Sequence, residues 1–321
     1  MTLVRHPNNP ILTRKDVPDI SPHVVDASSV FNPGAIKVDG KYLLMLRVQT
    51  RSRETFLVVA DSTDGLNFVP RRELVFFKGI ESVSETIYHI YDPRLTQIDE
   101  WYYVMFAADV EQGCKLGVAR TLDFNDFEFL GFGSDGDVRN GVLFPERFEG
   151  KFLRLDRPNV VELDGGLTSG DEIFLSQSVN LVEWHRVGSV FAGRPHYWDE
   201  RIGSGPPPIK TREGWLHIYH GIATHFGSAN IYQAGVALLD LGNPCTVISR
   251  SRNNILEPRE LYELTGQVPN VVFPSGIIVE DYDDYGFACS ESLVLVYYGA
   301  ADTCVGLAHT TIAELLAACL Y

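Results

Sequence analysis

The chain repeats a two-part pattern, and this repetition limits the folds open to it. The first part is a turn that contains Gly or an acidic residue, followed by an aromatic-rich strand with alternating character. It begins near Asp39, Asp99, Glu149 and Glu213, and a last strand of this kind covers residues 292–297. Alternation with β-branched and aromatic residues predicts β-strands. Regular recurrence of such strands indicates an all-β repeat protein.

A second element with constant spacing follows the strands in the first three units. A hydroxyl residue is followed two positions later by Asp or Asn, and an aromatic residue follows after four more. The three sets are Ser62, Asp64 and Phe68, then Thr121, Asp123 and Phe127, then Ser178, Asn180 and Trp184. Self-similarity at this interval, with short strands and little helical periodicity, is typical of a propeller. We therefore expect an all-β, five-bladed β-propeller whose last two blades are degenerate.

One helix is predicted, at the C-terminus, where residues 311–319 are mostly good helix formers. We expect this short helix to pack on the outside of the propeller. No Gly/Ser-rich linker or shift in composition divides the chain, which favours a single domain over residues 1–321. Two packed β-sandwiches are the alternative.

Composition excludes several classes of partner. With 321 residues, 45% of them hydrophobic, the chain can bury a large core, and its formal net charge of −15 argues against nucleic acid or an anionic membrane surface as a partner. The first seven residues lack the apolar stretch of a secretory signal. No apolar run approaches the ~20 residues of a membrane helix. These features predict a cytoplasmic protein without a membrane partner.

Metal and organic cofactors are not expected. The five cysteines are odd in number and contain no C-x-x-C pair, so they indicate buried thiols and neither disulfides nor a zinc site. His217 and His220 alternate on one predicted strand, so their side chains point to opposite faces and cannot form a metal pair. Neither a Gly-rich nucleotide loop nor a nucleophile elbow is present.

Acidic and amide candidates lie near equivalent ends of the predicted strands. Asn32 precedes the first strand, Arg47 ends it and Asp302 follows the last one, while Asp92 lies in Tyr91-Asp92-Pro93-Arg94. The following proline favours an extended conformation at Asp92, which leaves its carboxyl group available as an acid. An Asp-Pro turn with Arg94 as the salt-bridge partner is the alternative. Strand ends of a propeller converge at one mouth of the central channel, so these residues are expected to meet.

Basic residues form the second set of candidates. Guanidinium groups bind oxyanions with two parallel hydrogen bonds, so arginines at loop and strand ends indicate an anion such as phosphate. Taken singly, each charge is also compatible with an ordinary solvated surface. The set consists of Arg139 and Asn140 in a turn-rich loop, Arg157 at a strand end, Lys210 after the Gly- and Pro-rich residues 203–209, and His220.

Six motifs together resemble one enzyme family. They are Phe31-Asn32-Pro33-Gly34-Ala35, Tyr91-Asp92-Pro93-Arg94, Leu143-Phe144-Pro145-Glu146-Arg147, Arg157-Pro158, residues 203–211 and residues 214–221. The sequence resembles glycoside hydrolase family 130, the β-mannoside phosphorylases and related β-mannosidases. The resemblance spans nearly the whole chain and implies a five-bladed β-propeller.

The resemblance also implies roles for single residues. Asp92 would be the general acid, acting on the glycosidic oxygen through a hydroxyl of the mannosyl ring. Asn32, Arg47 and Asp302 would hold the −1 mannose. Inorganic phosphate, the co-substrate, would be bound by Arg139, Asn140, Arg157, Lys210 and His220. Tyr91 stands where some members carry Glu, which leaves the acceptor sugar open.

The expected activity is inverting phosphorolysis of a mannose-containing oligosaccharide to α-mannose 1-phosphate, with a β-1,4 linkage preferred. One acid and several basic groups suit this reaction, because phosphate is already an anion and needs no second carboxylate. The alternatives are an inverting β-mannosidase and a non-catalytic propeller that binds a glycan or protein. Glucose, mannose or N-acetylglucosamine as acceptor, a β-1,2 linkage and a homo-oligomer all stay open.

Overall fold

The protein is described from a computed structural model, which covers residues 2–134, 136–159, 161–163, 166–168, 170–224 and 229–320. Its elements, in chain order, are β1 (Val4–Arg5), β2 (Ser29–Val38), β3 (Lys41–Gln49), β4 (Thr55–Ser62), β5 (Val69–Pro70), β6 (Phe77–Lys78), a 3-10 turn (Ile80–Ser82), β7 (Ile87–Ile98), β8 (Trp101–Val110), β9 (Gly113–Thr121), β10 (Phe127–Phe132), β11 (Val138–Leu143), β12 (Phe152–Pro158), β13 (Val161–Leu163), β14 (Gly166–Thr168), β15 (Glu172–Ser178), β16 (His185–Ala192), β17 (Arg201–Ser204), β18 (Ile209–Lys210), β19 (Trp215–Ala223), β20 (Ile231–Leu239), β21 (Val247–Arg250), α1 (Leu261–Leu264), β22 (Val272–Val279), β23 (Leu293–Ala300), β24 (Cys304–Thr311) and α2 (Ile312–Leu320).

These strands form a five-bladed β-propeller, as predicted. The strand orders of the blades are β2-β3-β4-β5, β7-β8-β9-β10-β6, β11-β12-β15-β16, β17-β19-β20-β21 with β18 also on β19, and β22-β23-β24-β1. The first strands contact one another around the centre, β2 with β7 and β22, and β11 with β7 and β17. The N-terminal strand β1 pairs with β24. The two ends of the chain therefore complete the fifth blade together.

The repeated turn of the sequence is a repeated hydrogen-bonding unit. Ser62 Oγ accepts from the amides of Asp64 and Gly65, and Asp64 Oδ1 accepts from the amides of Leu66 and Asn67. The turns at Thr121 and Ser178 have the same bonds. The aromatic residues that follow, Phe68, Phe127 and Trp184, are buried. A local side-chain turn and an aromatic anchor thus fix the outer edge of three blades.

The fourth and fifth blades each have at least four strands. These two blades therefore differ from the repeat in their turns and not in the number of their strands. The predicted C-terminal helix is present as α2. It buries Ile312, Leu315 and Cys319 and packs against β20, β21 and β24. Among the described residues, no helix is long and apolar enough to cross a membrane.

Each pair of neighbouring blades shares a hydrophobic core. Met45 and Val104 belong to the core between the first and second blades, and Trp215 belongs to the core between the third and fourth. All five cysteines are free thiols, and Cys289 is exposed, contrary to the expectation that the thiols are buried. Tight packing between blades holds the inner strands in fixed positions, which in turn fixes the side chains at the centre.

Candidate active site

A cavity of about 450 Å³ lies at the centre of the propeller. Every blade contributes to its lining, for example through Asn32, Asp92, Arg139, His220 and Asp302, which come from the first to the fifth blade or the loop that follows. These residues are up to 270 positions apart in the sequence. The predicted convergence of strand ends is therefore found, for eight of the nine predicted site residues.

The same backbone feature, a β-bulge, orients three of these side chains. In β2, β7 and β11 the register with the next strand shifts at Asn32, Asp92 and Asn140, each of which lies in a β-bulge. Their φ angles are 45°, 53° and 54°, in the left-handed region. A bulge redirects a side chain that regular pleating would place elsewhere. The expectation that Asp92 is extended is thus wrong, because the bulge outweighs the bias from Pro93.

Asp92 is held by two donors from the first blade. Its Oδ1 accepts hydrogen bonds from Asn32 Nδ2 and from Arg47 Nη1, each at 2.9 Å. The Arg47 guanidinium in turn lies over the rings of Phe31 and Tyr91, with its central carbon 4.4 and 4.7 Å from the ring centres. The carboxylate is therefore fixed at one oxygen by a rigid arginine.

Arg94 supports the bulge and is not the salt-bridge partner of Asp92. This guanidinium is buried, and it donates through Nη1 to the carbonyls of Asp92 and Pro93 and through Nε to the carbonyl of Gly205 in the fourth blade. Burial lowers the pKa of Arg94 to about 10, although the charge of Asp92 raises it. The Asp92 backbone is thereby tied across the channel.

Asp302 is the second carboxyl group near the acid. Burial raises its pKa to about 6; the positive charge of Arg47 lowers it and the negative charge of Asp92 raises it. These mutual effects place Asp302, Arg47 and Asp92 near one another. We use the name acid cluster for Asp92, Asn32, Arg47 and Asp302. It consists of the carboxyl groups of Asp92 and Asp302 and of the two residues that donate hydrogen bonds to Asp92.

Arg139, Asn140, Arg157 and His220, here named the basic cluster, line the same cavity. Burial and, to a smaller extent, the positive charge of Arg139 lower the pKa of Arg157 to about 10. Burial also holds the pKa of His220 well below its usual range, with added effects from Arg157 and Arg94, so this imidazole is neutral near pH 7. Two mutually repelling guanidinium groups are a strained arrangement that a bound anion would relieve.

Glycine is required where the basic cluster meets the fourth blade. A Cβ on Gly203 would lie 2.4 Å from His220 Cε1 and 2.7 Å from Asn140 Oδ1. Both distances are shorter than carbon and oxygen atoms tolerate, so only glycine lets the His220 and Asn140 side chains lie this close to the backbone at residue 203. The Gly-rich residues 203–209 are thus in contact with side chains of the site.

Unpartnered polar atoms are concentrated in this cavity. Among the described residues, most of the buried side-chain nitrogen and oxygen atoms without a hydrogen bond belong to residues that line it. Each such atom in a folded protein requires an explanation. Those in the basic cluster are Arg139 Nε, Asn140 Oδ1, Arg157 Nε and His220 Nδ1. A polar ligand in the cavity would explain this distribution.

Three residues of this region, Asp109, Arg201 and Tyr232, were not among the predicted site residues. Tyr91 donates a hydrogen bond to Asp109 Oδ1 at 2.6 Å, and Arg139 Nη2 lies 3.4 Å from the same oxygen. Arg201, in the strand that pairs with His220, is close enough for its charge to lower the pKa of Tyr232, which burial raises. Spacing within one strand carries no signal for Asp109, because its partners belong to other strands.

Lys210 is the predicted site residue that the structure does not bring into the cavity. It forms an ion pair with Glu146 and lines a separate cavity. Lys210 pairs with Trp215 on β19, whereas Gly203 pairs with His220. The five positions from Trp215 to His220 correspond to roughly 16 Å along the strand. Placing Lys210 with the basic cluster is therefore corrected, since it lies toward the other end of the blade.

Metal ligation has no candidate in the described part of the chain, where no group of three or more His, Cys, Asp or Glu side chains could hold an ion. His217, buried on the strand of His220, has a pKa lowered to about 3 by burial and is neutral.

Comparison with known proteins gives matches along nearly the whole chain. Residues 2–320 match the sequence model of glycoside hydrolase family 130, described as beta-1,4-mannooligosaccharide phosphorylase. The chain is 31% identical to the beta-1,4-mannooligosaccharide phosphorylase of Ruminococcus albus, over 97% of this chain and 89% of that protein. It is also 31% identical to the 1,2-beta-oligomannan phosphorylase of a Thermoanaerobacter species, over 88% of this chain and 90% of that protein.

A solved structure matches the whole fold. The beta-1,2-mannobiose phosphorylase from Listeria innocua, in complex with beta-1,2-mannobiose, superposes with a TM-score of 0.83. The match has 28% sequence identity and covers 100% of this chain and 99% of that one. With the family match over residues 2–320, the conclusion is that this chain belongs to glycoside hydrolase family 130.

Proposed function

We propose that the protein catalyses inverting phosphorolysis of a β-mannoside, giving α-mannose 1-phosphate and a shortened acceptor sugar. The observation that carries this proposal is the division of one cavity into an acid cluster and a basic cluster. Tyr91 lies between them, since its ring contacts the guanidinium groups of both Arg47 and Arg139. One side supplies a proton and the other binds an anion. All five blades contribute, so residues 1–321 would act as one catalytic domain.

In this proposal Asp92 is the general acid. Asn32 and Arg47 fix its Oδ1, which leaves the proton to be delivered from the other carboxylate oxygen. The proton passes to the glycosidic oxygen through a hydroxyl of the mannosyl ring as the bond from C1 to that oxygen breaks. Asn32, Arg47 and Asp302 bind the −1 mannose, whose hydroxyl groups suit these polar partners.

Phosphate is the proposed nucleophile. Arg139 and Arg157 supply charge-assisted hydrogen bonds, and Asn140 and neutral His220 supply neutral ones. An oxygen of phosphate attacks C1 from the side opposite the leaving oxygen, which inverts the anomeric centre. The attacking hydrogen phosphate brings one proton, and mannose 1-phosphate releases this proton to the Asp92 carboxylate or to solvent, which restores the acid for the next turnover. The positioned anion needs no base, so the reaction uses a single carboxylic acid.

The family members described above support a β-mannoside as substrate and differ in linkage. The Ruminococcus albus relative is named for β-1,4-linked mannooligosaccharides, and the other two for β-1,2-linked ones. We favour a β-1,4 linkage for this chain, because the matching family model is described by that linkage. The lining of the cavity also includes Gln49, Arg53 and His89, whose polar side chains suit a sugar.

Hydrolysis is the second candidate, and one observation favours it. An inverting hydrolase needs a second carboxylate to activate water, and Asp109 is a carboxylate in the cavity. Asp109 is, however, bound by the Tyr91 hydroxyl and close to Arg139. Both contacts are to the same oxygen, Oδ1, and they tie this carboxylate to the basic side of the cavity. Phosphorolysis therefore fits the cavity better.

The test is to identify the products with and without inorganic phosphate. Purified protein is incubated with β-1,4-mannobiose, mannosyl-β-1,4-glucose and β-1,2-mannobiose, and mannose 1-phosphate and free mannose are measured. We expect mannose 1-phosphate only when phosphate is present, with one linkage preferred. Free mannose formed at the same rate without phosphate would replace this proposal by hydrolysis. The Asp92→Asn variant controls for contaminating activity.

A further inference from the structure

An acidic side chain stands inside the proposed phosphate site. Asp109 ends β8, lines the cavity and lies 3.4 Å from Arg139 Nη2 through its Oδ1. The Arg139 and Asp109 side chains remain 43% and 34% exposed, so both are open to the cavity. A carboxylate beside an anion-binding arginine repels the anion and occupies its donor. Its presence requires an explanation beyond the proposed roles.

Tyr91 holds this carboxylate by a second contact. Its hydroxyl donates to Asp109 Oδ1 at 2.6 Å, shorter than the Arg139 contact to the same atom. Burial raises the pKa of Tyr91 far above its usual value, so the hydroxyl keeps its proton and remains a donor. The tyrosine ring also contacts Arg139, which places all three groups in one compact unit.

We propose that Asp109 is a built-in counter-ion of Arg139, which phosphate displaces on binding, and that Tyr91 retains the displaced carboxylate. In the empty site Asp109 offsets part of the repulsion between Arg139 and Arg157. When phosphate arrives it takes the Arg139 donors, and the tyrosine hydroxyl keeps Asp109 bonded. The pair thus sets the affinity for phosphate without touching the mannoside. This inference rests on the proposed function, because it assumes that phosphate binds the basic cluster.

The proposal predicts opposite effects from two substitutions. Asp109→Asn removes the competing charge and should tighten phosphate binding by about two- to fivefold, the range expected for a partly exposed ion pair. Tyr91→Phe releases Asp109 to pair fully with Arg139 and should weaken binding by a similar factor. In the double variant the carboxylate is already absent, so loss of the tyrosine hydroxyl changes nothing further, and the affinity for phosphate should equal that of Asp109→Asn alone.

The measurement is isothermal titration of each full-length protein with inorganic phosphate, which needs no assumption about the mannoside. Asp61→Asn is the matched control: it also removes one negative charge from an arginine pair, with Arg71, but lies outside the cavity lining. It should bind phosphate as the wild type does. A thermal unfolding profile of each variant establishes that the fold is intact.

Two results would overturn the inference while leaving the proposed function in place. One is phosphate binding by Asp109→Asn that is equal to or weaker than that of the wild type. The other is an effect of Tyr91→Phe that persists unchanged in the Asp109→Asn background. If the wild-type protein itself binds no phosphate, the proposed function fails as well, so the wild-type titration separates the two failures.

Discussion

Arg47 and Asp92 form an ion pair between the first and second blades, with 2.9 Å between Arg47 Nη1 and Asp92 Oδ1. Arg47 is near the end of β3, the second strand of the first blade. Asp92 lies in a bulge of β7, the inner strand of the second blade. Asn32 donates to the same oxygen. In the described part of the chain no hydrogen bond reaches Asp92 Oδ2. One carboxylate oxygen is thus fixed by the protein and the other is available to the substrate.

Replacing this acid tests its role. Asp92→Asn keeps the size and hydrogen bonding of the side chain but cannot supply the proton, so turnover should fall by about 10²–10⁴-fold. The measurement is the rate of mannose 1-phosphate release at saturating substrates. Asparagine tolerates the left-handed backbone found at this position, so the melting temperature should change little. Near-normal turnover by a pure preparation would assign the acid elsewhere.

Removing a guanidinium from the basic cluster should affect phosphate selectively. Arg157→Met loses charge-assisted hydrogen bonds of about 1.5–3 kcal/mol, which corresponds to a rise of roughly 10- to 100-fold in the KM for phosphate. The KM for the mannoside should change far less. Steady-state kinetics with each substrate varied in turn provide the comparison.

Lys210→Met is the matched control for that variant, because Lys210 lines the separate cavity and pairs with Glu146. We expect its KM for phosphate to remain within about twofold of the wild type, the range of a surface ion pair. A large rise in Lys210→Met and none in Arg157→Met would reverse the assignment of the two residues.

The stability of the folded protein should depend on pH through the ionisation of Asp302. Its pKa rises from 3.8 in the unfolded chain to about 6 in the fold, so the folded state binds the proton more tightly. Stability from this group is full below about pH 4 and is lost as the pH rises through 6. Asp302→Asn cannot ionise and should therefore raise the melting temperature at pH 7.5 by about 2–4 °C.

The same variant should show no gain in melting temperature at pH 4, where Asp302 is protonated in the wild type as well. It should also bind the mannoside more weakly, since a proposed sugar ligand is altered. Melting curves at the two pH values decide the matter. Equal differences at pH 4 and pH 7.5 would show that ionisation of Asp302 is not responsible.

Arg94 should be required for both stability and activity. Arg94→Met leaves the carbonyls of Asp92 and Pro93 without their donor, at a cost of about 1–3 kcal/mol for each unsatisfied group. Urea unfolding should show a loss of at least about 2 kcal/mol, and the folded fraction should turn over more slowly because the bulge at Asp92 is looser. Unchanged unfolding together with unchanged turnover would contradict this role.

Much of the fold was predictable because it is encoded locally. The second strands of the blades and the turns at Ser62, Thr121 and Ser178 depend on alternation and on side chains a few positions apart. The N-terminal strand β1 was not predicted, since Val4–Arg5 is too short to carry a pattern. It becomes a strand only because β24 offers a free edge.

The site was predictable only in part, for the same reason. Asn32, Asp92 and Asn140 stand out in the sequence beside Pro or Gly, where the chain must bend. Lys210 was placed wrongly because sequence does not reveal that residues 205–208 separate β17 from β18 and carry the chain toward the other end of the blade. The contact of Tyr91 with Asp109 depends on pairing between β7 and β8, which spacing along one strand does not reveal.

Inverting transfer of mannose to phosphate is the reaction proposed for this cavity. It is tested by a nuclear magnetic resonance measurement of the first product formed from a β-mannoside in phosphate buffer. We expect mannose 1-phosphate of the α configuration, formed in equal amount to the released acceptor. Free mannose as the first product, or mannose 1-phosphate of the β configuration, would contradict it.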